Sequence, residues 1–177
     1  SEEARNLGNM GELYFTLDDL DSAAHLYQQA VQIDREIGEK YHEAWFLGSL
    51  GKIAIKTGNY DAASQLIRQG LQIAREIKSL NCEMMLDMQW ADLSLKREDY
   101  DGSLQVFTKI LEGSKNANDP LGEIQAHYGL AILAEKKKKP EKQRKAIRGQ
   151  PISDFVKYKS TEELLEYYLF VKDGYLT

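Results

Sequence analysis

The chain has 177 residues and a net charge of −5, the size of one domain or of a slice from a longer protein. Hydrophobic residues make up 42% and charged residues 29%, which excludes a disordered chain, and only 3 prolines among scattered glycines disfavour an all-β sandwich. A single cysteine, Cys82, excludes an intrachain disulfide and a cysteine-cluster metal site.

The first segment already contains the unit from which the rest is built. Shifted by 40 residues, Leu7-Gly8-Asn9-Met10-Gly11 falls on Leu47-Gly48-Ser49-Leu50-Gly51. The same frame continues to Asp87-Met88-Gln89-Trp90-Ala91 and His127-Tyr128-Gly129-Leu130-Ala131. A second block keeps step: Leu20-Asp21-Ser22-Ala23, Tyr60-Asp61-Ala62-Ala63 and Tyr100-Asp101-Gly102-Ser103. Small residues recur at 11, 51, 91 and 131, and large apolar ones at 27, 67, 107 and 147. The boundaries of the four copies are about 3–40, 43–80, 83–120 and 123–149.

Each copy reads as two helices. Leu47, Leu50, Ile53 and Ala54 have helical spacing, as do Ala63, Leu66, Ile67, Leu71 and Ile73. Between them, Thr57-Gly58-Asn59 and Arg97-Glu98-Asp99 read as breaks. Gly58 suits a left-handed helix end, and Asn59 or Asp99 can cap the next helix. Gly11 and Gly51, facing Ala23 and Ala63, would let paired backbones approach closely, so a bulky residue there would overpack the contact.

Gly51, Tyr60 and Ala63, and in the first copy Gly11, Ala23, Tyr27 and Ala30, carry a small–aromatic–small signature that resembles the tetratricopeptide repeat family. The resemblance covers about residues 3–148 and weakens in the fourth copy, where Gln143 replaces the expected alanine. The family's usual period is about 34. The extra residues extend the second helix through Asp34–Gly38 and Ala74–Lys78, as in the long-repeat subgroup that includes spindle-orientation adaptors, kinesin light chains and bacterial signalling repeats. The resemblance implies an all-α, right-handed solenoid of about four helix-turn-helix repeats over residues 1–150.

Beyond Gly149-Gln150-Pro151, which stops the last repeat, composition changes. Six of the chain's 17 aromatic residues fall within 152–177. A capping box at Ser160 and Glu163 starts a helix expected over about 161–173, read as a C-terminal cap on the solenoid or as the start of another domain. The chain begins at Ser1 inside a helical pattern without an initiator Met, as an excerpt would.

No catalytic, cofactor or metal constellation emerges. His25, His42 and His127 have no partner at ligand spacing, and His42-Glu43 is not followed by a second histidine. Cys82 lacks a basic neighbour to activate it. Gly8-x-x-Gly11 is too short for a phosphate loop, and Asp18-Asp19-x-Asp21 lacks the form of a calcium loop. The expectation is a non-enzyme without cofactor or metal. No apolar run reaches the ~20 residues of a membrane helix and no signal peptide is visible, so the setting expected is cytoplasmic. Residues 136–148 carry a local charge of +7 and the remainder −12, which speaks against a nucleic-acid backbone reader and leaves the basic run as a solvated helix end.

What remains is surface. The resemblance implies that the first helix of each pair lines a concave face. By register that face carries Arg5, Asn9 and Glu12 in copy one, and Trp45, Ser49, Lys52 and Lys56 in copy two. Copy three adds Met85, Met88, Gln89, Asp92 and Lys96, and copy four Gln125, Tyr128 and Ile132. Aromatic and methionine side chains among amides and both signs of charge suit a peptide or helix of a partner protein. The matching positions lack the Lys/Asn/Arg carboxylate clamp of the chaperone-tail subgroup. The alternative is a sensor or regulatory segment of a larger signalling or transcription-regulating protein. Trp90 falls on a core position and is expected to be buried.

Overall fold

The computed structural model describes residues 1–138. Over these it is all helical: α1 (Glu2–Thr16), α2 (Leu20–Ile37), α3 (Lys40–Lys56), α4 (Tyr60–Glu76), α5 (Leu80–Lys96), α6 (Tyr100–Ala117) and α7 (Pro120–Lys138). These are three helix pairs and the first helix of a fourth. The fourth copy's second helix, the aromatic segment and its expected capping helix lie outside the described residues.

The 40-residue period is written into the backbone. Positive φ angles occur at Asp18, Gly58 and Glu98, and again at Gly38, Lys78 and Asn118. Each residue reverses the chain after a helix, and at the first five of these turns the next residue caps the helix that follows. Asp19 accepts from the Ser22 amide at 3.1 Å, Asn59 from Ala62 at 3.3 Å and Asp99 from Gly102 at 2.9 Å. At the other turn, Glu39 accepts from the His42 amide at 3.2 Å and Ser79 from Cys82 at 3.3 Å. One ion pair repeats with the same period: Arg35 Nε donates to Glu43 Oε1 at 2.7 Å, and Arg75 Nε to Glu83 Oε1 at 3.2 Å.

The helices form two compact units, one of Ser1–Leu93 and one from Ser94 onward. In the first, α3 is shared by two cores. Phe46, Leu47, Leu50 and Ile53 pack with Ala4, Ala23, Tyr27, Ala30 and Val31 of α1 and α2. Ala44, Ala54 and Ile55 pack with Ala63, Ile67, Leu71 and Ala74 of α4 and with Cys82, Leu86 and Leu93 of α5. Burial on two sides explains why α3 is apolar nearly all round, whereas α4 has one apolar stripe.

The expected small-against-large packing is present. A β-carbon on Gly11 would lie 2.9 Å from the Tyr27 ring, and one on Gly51 would lie 2.8 Å from Ile67 Cγ1. Both approaches are closer than carbon atoms tolerate, so these two positions require glycine for proximity rather than for backbone freedom. In the second unit, α6 packs on α7, with Phe107, Ile110, Ala126 and Leu133 buried and Gly129 against the Phe107 ring.

Candidate functional site

Most of the stripe expected from register lies in the first unit. On α1, Arg5, Asn9 and Glu12 are all exposed. On α3, the residue classes diverge. Trp45 is 39% exposed and its ring stacks on Tyr41, with centroids 6.4 Å apart. Lys52 is half-buried and Ser49 is buried. On α5, Met85, Met88 and Asp92 are half-buried and Gln89 is buried. Gln125, Tyr128 and Ile132 are half-buried on α7, in the second unit.

Two expected contact residues are therefore withdrawn from the surface, each for a local reason. Ser49 donates to the Trp45 carbonyl at 3.3 Å, as a helical serine commonly does. It also lies beside the Tyr27 hydroxyl, which donates to Glu12 Oε2 at 2.8 Å. Tyr27 thus reaches from α2 between the first helices of two repeats and ties Glu12 to the Ser49 neighbourhood. Burial, with the Glu12 carboxylate beside it, drives the phenol's pKa above its ordinary value.

Gln89 is withdrawn because α3 opens a space for it. Gly48 has no side chain there, and a β-carbon added to it would lie 3.0 Å from Gln89 Oε1 and 3.1 Å from Nε2. The amide fills the space beside Gly48, and neither of its polar atoms has a hydrogen-bond partner. A buried amide left in that state costs about 1–3 kcal/mol.

Other side chains differ from expectation. Trp90 is half-buried rather than buried. It packs against the α3–α5 core while the Arg68 guanidinium covers its ring at 5.0 Å. Met85 also packs on that core, so part of its surface is committed. Lys56 is engaged with Asp18 Oδ1 at 2.6 Å and sits over the Phe15 ring at 5.2 Å. Cys82 is fully buried, and desolvation pushes its thiol pKa up, which agrees with an inert core cysteine.

One cluster was not legible as a ligand set. The turn between α2 and α3 brings Asp34, Glu39 and His42 together, with a potential ligand atom of each within 4.8 Å of the others. These residues straddle a helix–turn–helix, so they share no spacing on a single helix. The usable signal was Glu39 and His42 three residues apart, preceded by an aspartate one helical turn before Gly38.

Among the described residues, no helix is long and apolar enough to cross a membrane. No curated protein matches the chain. A family model described as tetratricopeptide repeat matches residues 2–76, the first two helix pairs. Repeats of this family are generally protein–protein interaction modules on a scaffold fold without catalytic function. The match covers the first two of the helix pairs, so residues 2–76 are similar to tetratricopeptide repeats, and the 40-residue period carries the same helix-pair pattern on through α7.

Proposed function

We propose that the chain binds a peptide or helix of a partner protein along the first helices of its repeats, across α1, α3 and α5. The observation that carries this reading is Trp45. It is 39% exposed on a helix otherwise buried on two sides, and its ring stacks on Tyr41 at 6.4 Å. Large aromatic side chains of this kind dominate binding energy at protein interfaces.

The residues around it support the same reading. Met88 is an adaptable apolar contact, and Asn9, Glu12, Lys52 and Asp92 supply both signs of charge and an amide. A ligand of mixed charge or amphipathic character matches this composition better than a purely acidic tail. The partner is a protein, and no nucleic-acid or membrane surface is invoked.

The test begins with peptides selected by display against the whole chain. Hydrogen–deuterium exchange with and without a selected peptide should show slowed exchange in α1, α3 and α5. Protection confined to α2 and α4, or to the basic run at 136–148, would contradict the assignment.

A further inference from the structure

We propose that Asp34, Glu39 and His42 bind a divalent transition-metal ion of the zinc class at the turn joining the first repeat to the second. Each residue is placed by the turn. Asp34 lies in the last turn of α2, and its carbonyl accepts the Glu39 amide at 2.8 Å. Gly38 reverses the chain at φ +75°. Glu39 caps α3, and His42 sits in the first turn of that helix. The fold therefore presents two carboxylates and one imidazole to a common point, within 4.8 Å of one another.

A second observation points to a ligand. Asp34 is fully buried, and its Oδ2 has no hydrogen-bond partner. Its Oδ1 has a long contact of 3.5 Å to the Ser1 amine. A buried carboxylate oxygen without a partner is costly, and coordination to a cation is one of the few ways to satisfy it. The imidazole is already held in place. It stacks on Phe46 with centroids 6.2 Å apart, meets Tyr41 edge-on at 5.5 Å, and turns Nδ1 to Glu39 Oε2. The side-chain cations of this turn, Arg35 and Lys40, both bond Glu43, at 2.7 and 3.0 Å, and neither serves Asp34 Oδ2. Glu39 and His42 are partly exposed, which gives an ion a route in.

The repeats provide an internal control. The equivalent positions are Ala74, Ser79 and Cys82 at the next turn, and Ser114, Asp119 and Gly122 at the one after. Those turns close with the same backbone bond, Ser79 to Ala74 at 2.9 Å and Asp119 to Ser114 at 2.9 Å. The turn therefore forms without the trio, and a buried aspartate at 34 is not a requirement of the fold. One imidazole with two carboxylates suits zinc, cobalt or nickel better than calcium or magnesium, which take all-oxygen shells. Three protein ligands leave a position for water. An ion there would tie the end of α2 to the start of α3 and stiffen the junction between repeats.

The experiment uses the untagged whole chain, Co²⁺ as a spectroscopic probe and Zn²⁺ in calorimetry. Wild type should develop a visible cobalt absorption, bind one Zn²⁺, and melt at a higher temperature with Zn²⁺ present. Asp34→Ala installs the residue the protein itself carries at position 74, so it should fold with unchanged helicity. It should lose affinity roughly tenfold or more, at least what the loss of an outer-shell partner costs. His42→Gln should do the same, and His25→Gln should leave binding intact. Absence of cobalt absorption and of zinc heat in wild type would overturn the proposal. So would unchanged affinity in folded Asp34→Ala, or loss of binding in His25→Gln.

Discussion

The contact between Gly51 and Ile67 offers a test in which sign and size both follow from geometry. Replacing glycine by alanine inside a helix normally gains about 1 kcal/mol from propensity. At Gly51 the new methyl would lie 2.8 Å from Ile67 Cγ1, inside a core where Ile67 is fully buried. Overpacking of this kind costs about 1–3 kcal/mol, so the net effect of Gly51→Ala should run from near zero to a loss of ~2 kcal/mol. Truncating Ile67 removes the obstructing atoms. The next neighbour is then Gln89 Oε1 at 3.7 Å, an ordinary contact. In an Ile67→Ala background, itself destabilised by about 2–5 kcal/mol, Gly51→Ala should recover its propensity gain of ~1 kcal/mol. The double-mutant cycle, measured by urea unfolding with tryptophan fluorescence and circular dichroism, should give a coupling of about 1–3 kcal/mol. A coupling within about 0.5 kcal/mol of zero would refute the packing register from which the fold was argued.

Three further outcomes follow from particular residues. Lys78 and Glu98 hold positive φ where the equivalent turns one repeat earlier carry Gly38 and Gly58, so Lys78→Gly and Glu98→Gly should each stabilise by about 0.5–1 kcal/mol, read as a higher urea midpoint. Arg35→Ala should cost more than Arg75→Ala, about 1–3 against 0–1 kcal/mol, because Glu43 is buried and Glu83 only partly so; equal losses would contradict this. The raised Tyr27 pKa gives an alkaline signature: its stabilising contribution is full below the phenol's ordinary 10.0 and is lost as pH rises toward the folded value. Unfolding free energies of wild type should therefore fall above that pH more steeply than those of Tyr27→Phe, and parallel curves would contradict the assignment.

The fold was legible because each turn must satisfy the same backbone demand. Gly58 and Asn59 announce a left-handed residue and a cap, and Glu98 and Asp99 meet the same need at the same spacing with poorer residue types. The small positions were legible because glycine within an apolar helix requires a close neighbour, here Tyr27 and Ile67. The candidate site was legible only as a stripe. Register locates Ser49 and Gln89 on the same helix face as Trp45 and Met88, but not how deep each lies. Depth depends on what faces them: the missing side chain of Gly48 draws the Gln89 amide inward, and Tyr27 covers Ser49. Trp90 shows the converse: at the position of the buried Leu50 one repeat earlier it stays half-buried, with the Arg68 guanidinium over its ring. The Asp34, Glu39 and His42 cluster escaped because its spacing makes sense only once the chain has turned at Gly38.

Whether a partner binds across α1, α3 and α5 is decided by calorimetric titration of a display-selected peptide. The comparison is wild type against Trp45→Ala combined with Met88→Ala, with helicity checked by circular dichroism. Removal of two apolar anchors should weaken binding by about 2 kcal/mol or more, close to 30-fold, while helicity is retained. Normal binding by the folded double variant, together with loss of binding on charge reversal at Lys137 and Lys138, would contradict the claim and move the site to the basic run.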